Sequence, residues 1–221
     1  MSPVKKEILR KEIEDLFEKD IIEECESPYG APVLIPKPKN QFRLCSDYRK
    51  LNEIMVLDTY PLPRMDDLLQ ETKHTAYIFP IDLKSGYHQV NVNLADRDKT
   101  AFVCPFGTYR FKRMPFGHKN TPATFQRLMY IFRRGLPVLA YLDDIIIMSP
   151  TFEQHLADLE AVFKRLMDFK LRANTEKCQF SCSRVKYLDL WSKSPERVTW
   201  LQICYLVLRV MKKMNCVRSA L

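Results

Sequence analysis

Two aspartates stand side by side at positions 143 and 144, between the apolar runs VLAYL and IIIM. Adjacent carboxylates next to apolar surface repel each other, and burying either charge without a partner is costly. Two readings follow from the residue types. The pair forms the turn of a hairpin, since aspartate favours turns, or the tip holds divalent cations whose charge removes the repulsion and keeps both groups ionised. Asp82 is the natural third member, because it ends another apolar run (YIFPI, 77–81) and enters a small-residue turn, Ser85-Gly86. If the two strands are neighbours, three carboxylates meet at one edge of a sheet. That arrangement suits two Mg²⁺ ions roughly 3.5–4 Å apart, which activate a hydroxyl and stabilise a pentavalent phosphate. Asp66, Asp67, Asp96 and Asp98 fall in helical or loop contexts and read as solvated.

The elements that must position these groups are legible in outline. Ser2-Pro3 reads as the cap and first residue of a helix with the apolar stripe Val4, Ile8, Leu9, Ile13, Leu16 and Phe17. Prolines 28, 32, 36 and 38 impose an extended, turning segment in which APVLIPK and QFRLCSDY read as two strands. Lys37, Lys39 and Arg43 lie at or near the tip of that hairpin. A short helix is expected around Asp66–Glu71. A strand follows over Tyr77–Leu83, in which Pro80 is awkward for a central position. Two more strands flank the turn Pro105-Phe106-Gly107, and a helix runs from Thr121-Pro122 to Gly135 on Phe125, Leu128, Met129 and Phe132. Thr151 and Gln154 form a capping box for a helix with the face Phe152, Leu156, Leu159, Phe163 and Leu166. Strands around Gln179–Ser181 and Val185–Leu188 complete the pattern. The irregular alternation of helices with adjacent strand pairs predicts an α+β fold with an antiparallel sheet.

Composition narrows the function class. The chain has 221 residues, 46% of them apolar and 28% charged, which suits a folded chain with a sizeable core. No apolar stretch reaches the length of a membrane span, and the N-terminus lacks the apolar region of a secretory signal. Seven irregularly spaced cysteines suit free thiols in a reducing compartment. The expectation is a soluble chain working in the cytoplasm or nucleus, without a membrane partner. The net charge of +8 is unevenly placed: residues 1–26 carry five basic and nine acidic side chains, so the remainder carries +12. Residues 99–142 hold Lys99, Arg110, Lys112, Arg113, Lys119, Arg127, Arg133 and Arg134 and no acid, which points to a polyanionic partner.

Five segments together carry a family resemblance: YLDD at 141–144, IDLKSGYHQV at 81–90, RLCSDYRKLN at 43–52, YPLPRMDDLL at 60–69 and MPFGHKNTPATFQRLM at 114–129. They closely resemble reverse transcriptases, above all those of gypsy-type LTR retrotransposon Pol polyproteins, in that family's order and spacing from about residue 5 to residue 188. The resemblance implies a right-hand polymerase of fingers and palm, within which Asp82 and Asp143 hold both metal ions and Asp144 sits beside them. It implies Mg²⁺, with Mn²⁺ as the alternative ion, a primed RNA or DNA template, and dNTPs. Ser85 and Gly86 are then placed near the triphosphate, with Arg43 as its clamp and Lys37 or Lys39 assisting. Tyr87 corresponds to the steric gate that excludes a 2′-hydroxyl, and Phe116 flanks the 3′ side of the nucleotide. Leu142 and Tyr141 fall at the primer terminus, Arg110, Lys112 and Lys119 at the template–primer backbone, and Lys177 is the candidate general acid for pyrophosphate.

The pattern divides the chain into an N-terminal helical segment (1–26), fingers and palm (27–188) and a divergent tail (189–221). Where relatives carry a tyrosine-leucine-glycine-histidine stretch that grips the primer, this chain reads Tyr187-Leu188-Asp189-Leu190. The match fades beyond that point, so the sequence reads as a copy truncated after the palm, whose tail forms an amphipathic helix at best. The expected function is RNA- and DNA-directed DNA synthesis by attack of a primer 3′-hydroxyl on the α-phosphate. The alternative is an inactive remnant that only binds nucleic acid.

Overall fold

The computed structural model describes residues 3–34, 44–64, 77–174, 184–187 and 190–193. The chain forms two compact units, one built from residues 1–59 and 87–124, the other from 60–86 and 125–221. The backbone therefore passes between them immediately after Gly86.

In the first unit, helix α1 (Pro3–Glu18) begins at the proline, as its cap sequence predicts. It buries Leu9, Ile13 and Leu16, the inner rows of its apolar stripe, while Val4 and Phe17 stay exposed. These side chains pack on Ile22, Phe102, Tyr109 and Phe111 from a five-stranded sheet. Its strands are β1 (Ile22–Glu24), β2 (Ala31–Leu34), β3 (Cys45–Ser46), β5 (Phe102–Cys104) and β6 (Gly107–Phe111), in the order β1-β6-β5-β2-β3. β2 and β3 pair antiparallel, as the two-strand reading of this region requires. β2 and β5 run parallel, so the sheet is mixed rather than purely antiparallel. Helix α2 (Arg49–Ile54) has no counterpart in the sequence reading, since its six residues show no apolar periodicity. The short helix expected around Asp66–Glu71 lies outside the described residues.

The second unit holds a three-stranded antiparallel sheet in the order β4-β8-β7, made of β4 (Tyr77–Asp82), β7 (Val138–Tyr141) and β8 (Asp144–Ser149). β8 lies in the centre, and its run Ile145, Ile146 and Ile147 is buried throughout, as a strand covered on both faces must be. Pro80 sits in β4, an edge strand among the described residues, where a missing N–H is tolerated. The strain expected of a proline in a central strand does not arise. Helix α3 (Thr121–Arg133) runs from the first unit into the second and buries Phe125, Met129 and Phe132 there. It ends before Gly135, whose φ of 71° gives the left-handed residue that closes such helices.

Helix α4 (Phe152–Asp168) starts at Thr151, whose hydroxyl accepts from the Gln154 N–H at 3.3 Å. The Gln154 side chain does not return to complete the capping box; its Nε2 donates to Asp158 Oδ1 at 2.8 Å. Past residue 183, β9 (Arg184–Tyr187) and β10 (Leu190–Lys193) form an antiparallel pair. A strand thus occupies the start of the segment in which a helix at best was expected. Among the described residues, Cys25, Cys45 and Cys104 are free thiols, and no helix is long and apolar enough to cross a membrane.

Candidate active site

The pairing of β4, β7 and β8 decides where the carboxylates lie. Asp82 is the register partner of Asp144 across β4 and β8, and Tyr141 is the partner of Asp144 across β7 and β8. Directly opposed antiparallel residues have Cα atoms roughly 4.5–5.5 Å apart, so two of the three carboxylates start side by side. The hairpin turn is Leu142-Asp143, one residue earlier than the aspartate pair suggests, and Asp144 is already the first residue of β8. The shift gives the adjacent aspartates different positions. Asp144 belongs to the strand ladder, while Asp143 lies in the turn, where its carbonyl accepts from the Leu83 N–H at 2.8 Å.

Several contacts hold this end of the sheet. Leu142 has φ 51°, a left-handed conformation that is uncommon for a branched side chain and costs about 1–3 kcal/mol. Gln126, on the inward face of α3 and 2% exposed, fixes that turn. Its Nε2 donates to the Ala140 carbonyl at 3.0 Å, and its Oε1 accepts from the Leu142 N–H at 2.8 Å. The sequence reading missed this residue, although a glutamine beside Phe125, on a face otherwise made of Met129 and Phe132, was the available signal. Asn174 was also missed: its N–H donates to the Asp82 carbonyl at 2.7 Å, and its Nδ2 lies 3.4 Å from Asp82 Oδ1. Gly86 is a glycine for space, because an added Cβ would stand 2.9 Å from the Phe125 ring and 3.1 Å from Asp143 Cβ. Ser85, just before it, is exposed and left-handed at φ 51°.

Replacing Gln126 with leucine takes the side-chain partner from the buried Ala140 carbonyl and from the half-buried Leu142 N–H. That should lower stability by about 1–3 kcal/mol. Thermal denaturation is the check, and an unchanged midpoint would show that the clamp does not hold the turn.

The donor set suits a hard divalent cation, being three carboxylates without thiol or imidazole. Among the described residues no three acidic, histidine or cysteine side chains are gathered closely enough to share an ion. The backbone has brought Asp82, Asp143 and Asp144 to one end of the sheet, and joint ligation would require their side chains to turn toward one another.

The remaining residues singled out from the sequence separate into three groups. Tyr87 and Phe116 come together in the first unit, with ring centroids 5.2 Å apart and Phe116 45% exposed. His88 meets Phe116 edge-on at 5.0 Å and stacks on Phe111. Burial pushes its pKa down to about 4, so at neutral pH it is an uncharged packing ring. Arg110 and Lys112 have acidic partners in the same unit: Arg110 bonds Glu23 at 2.8 Å and Asp98 at 2.6 Å, and Lys112 pairs with Asp20. Lys119 Nζ rests 3.4 Å from the carbonyls of Asn52 and Met55. These partners, apart from Asp98, are distant in sequence and from outside the basic stretch, so the charge on residues 99–142 is partly balanced in a way the sequence did not reveal. Lys37, Lys39, Arg43 and Lys177 lie outside the described residues.

Comparison with known proteins agrees with this frame. The sequence profile described as "Reverse transcriptase (RNA-dependent DNA polymerase)" matches residues 35–191. The chain is 39% identical over 189 residues to the retrovirus-related Pol polyprotein from transposon 297 of Drosophila melanogaster, a match covering 81% of this chain and 18% of that polyprotein. With the Pol polyprotein from transposon gypsy of the same organism, identity is 34% over 212 residues, 89% of this chain and 20% of the relative. Among solved structures, the foamy viral protease–reverse transcriptase in complex with an RNA/DNA hybrid superposes with a TM-score of 0.81 at 25% identity, covering 89% of this chain and 27% of that one. The same viral protein in complex with double-stranded DNA gives 0.79, covering 87% of this chain and 34% of that one. The chain thus spans about a fifth of the length of the curated relatives it matches, and its α+β architecture is that of polymerase fingers and palm. On both sequence and fold, it belongs to the reverse transcriptase family.

Proposed function

We propose that this chain supplies the nucleotidyl-transfer portion of an RNA- and DNA-directed DNA polymerase, joining dNMP units to a primer 3′-hydroxyl on a template strand. The observation that carries the proposal is the registration of Asp82 opposite Asp144 with Asp143 in the adjoining turn. That constellation is built on a sheet end and held by Gln126, Asn174 and the close approach of Gly86. Rigid placement of charge is what a phosphoryl-transfer site requires of its protein.

Divalent cations, Mg²⁺ in the first instance, would be held by Asp82, Asp143 and Asp144, and would supply activation of the hydroxyl and neutralisation of phosphate charge. The chain's own residues do the rest. Asp143 lies in the turn and Asp144 on the strand of one hairpin. Tyr87, braced by Phe116 and indirectly by His88, is the flat ring that leaves no room for a 2′-hydroxyl. The complexes formed by the foamy viral relative, with an RNA/DNA hybrid and with double-stranded DNA, support a primed template as the partner.

Primer extension on poly(rA)/oligo(dT) tests the reading. The chain should incorporate dTMP with Mg²⁺, stop on chelation and resume when the ion is restored. Tyr87→Ala should admit UTP, narrowing the preference for the deoxynucleotide on the order of tenfold or more. Failure of the chain to extend any primer would sink the catalytic reading and leave a nucleic-acid-binding fold. An unchanged sugar preference would remove Tyr87 from the gate.

A further inference from the structure

The opposite end of the catalytic hairpin holds a second group of functional side chains. There, Tyr130, Arg133, Arg134, Pro137, Val138 and Met148 help to line a concavity of about 350 Å³. Val138 begins β7 and Tyr141 ends it, so on the order of 10 Å of strand separates this cavity from the aspartates. The two sites lie at opposite ends of one sheet.

Positive charge gathers at this cavity. Elsewhere Arg49, Arg97, Lys99, Arg110 and Lys112 are each paired with a carboxylate. Among the described residues no carboxylate stands within ion-pair distance of Arg133, Arg134 or Arg165. Three arginines share the C-terminal end of α3 without an acid. Arg165 Nη1 donates to the carbonyls of Phe132 and Arg134 at 2.9 and 3.3 Å, covering the acceptors that would otherwise repel an anion at a helix C-terminus. Among the described residues, no acceptor stands against the guanidiniums of Arg133 and Arg134.

The aromatic partner narrows the class of ligand. Arg134 lies over the Tyr130 ring at 5.6 Å, and that ring is 47% exposed. A planar guanidinium stacked on an exposed ring is a platform for a nucleobase, and paired arginine forks suit a phosphate. The volume fits one nucleotide unit, at the lower end of small-ligand pockets. We infer that this cavity is a second nucleic-acid site, which takes a single-stranded polynucleotide with a phosphate between Arg133 and Arg134 and a base on the Tyr130–Arg134 platform. It stands independently of catalysis at the aspartates.

Fluorescence anisotropy of a labelled oligo(dT) 12-mer, titrated with the full chain across a salt series, tests it. Removing two phosphate contacts should flatten the slope of log affinity against log salt by about 1.4, so Arg133→Ala/Arg134→Ala should show that loss. Tyr130→Leu should weaken binding on the order of tenfold with the slope unchanged. Arg134→Lys, an exposed and charge-conserving change, should keep the slope, and circular dichroism verifies that each variant folds. A 4-thiothymidine oligonucleotide should crosslink to the α3 peptide containing Tyr130, and lose that crosslink in the double variant. The proposal is overturned if the unaltered chain does not bind the oligonucleotide, if the double variant keeps affinity and slope, if crosslinks fall only elsewhere, or if poly-glutamate of equal charge competes equally well.

Discussion

Asp143→Asn should remove primer extension by on the order of 10²–10³-fold or more, the scale seen when one preorganised electrostatic group is deleted from an active site. The fold should survive the change. The Asp143 main-chain carbonyl accepts from the Leu83 N–H, and asparagine preserves that bond. The new side chain is isosteric, so the close packing of Asp143 Cβ beside Gly86 is also unaltered. Neutralising one of three neighbouring carboxylates relieves like-charge repulsion, so the thermal midpoint should hold or rise slightly. A second readout does not require turnover. An ion bound by the native state alone stabilises it by RT ln(1 + [L]/Kd), about 1.4 kcal/mol at tenfold Kd. Mg²⁺ should therefore raise the midpoint of the unaltered chain and raise that of Asp143→Asn far less. A variant that extends primers as well as the parent, or gains equally from Mg²⁺, would detach Asp143 from the chemistry.

That Asp143 and Asp144 mark a hairpin was legible in the sequence, because an apolar-polar-apolar pattern around two aspartates has few other solutions. The tip was misplaced by one residue. Aspartate is the better turn former by propensity, yet the structure puts Leu142 there at φ 51°. A buried glutamine on another element compensates, and no local pattern announces it. Long-range partners explain the other differences. Arg110 reads as one cation among eight in an acid-free stretch until the fold brings Glu23 to it. Pro80 reads as a fault in its strand until that strand proves to be an edge. Helices with strong periodicity, such as α4, needed only their own residues. What escaped was the use of individual polar side chains, which is decided by which element packs beside which.

The same limit applies to the second large prediction, which concerns stability. Ser149 ends β8, the strand that begins at Asp144, and is 0% exposed. Its hydroxyl donates to Asp158 Oδ2 at 2.6 Å and lies 3.0 Å from His155 Nδ1. Because the hydroxyl proton is committed to the carboxylate, His155 Nδ1 must carry its own hydrogen and donate. This serine, histidine and aspartate are not a nucleophilic triad: the hydroxyl faces the acid, and no substrate reaches it. They fasten α4 to β8. Ser149→Ala would leave a buried carboxylate short of a donor and a buried ring N–H without an acceptor, at a cost of about 2–4 kcal/mol. For a chain of this size the thermal midpoint should fall by roughly 4–16 °C. Adding Asp158→Asn to Ser149→Ala should recover part of the loss, since it removes the stranded charge; full additivity of the two would deny the coupling. Burial also pushes the His155 pKa down to about 4 from the ordinary imidazole value of 6.5. Between those values the unfolded chain takes up a proton that the folded chain refuses, so stability present above pH 6.5 is lost as pH falls toward 4. His88 and His118 are depressed to about 4 in the same way and share the slope. His155→Phe should therefore flatten the acid limb of the stability curve by up to about 1.4 kcal/mol per pH unit without abolishing it. An acid limb as steep in the variant as in the parent would mean that His155 is not held neutral by this network.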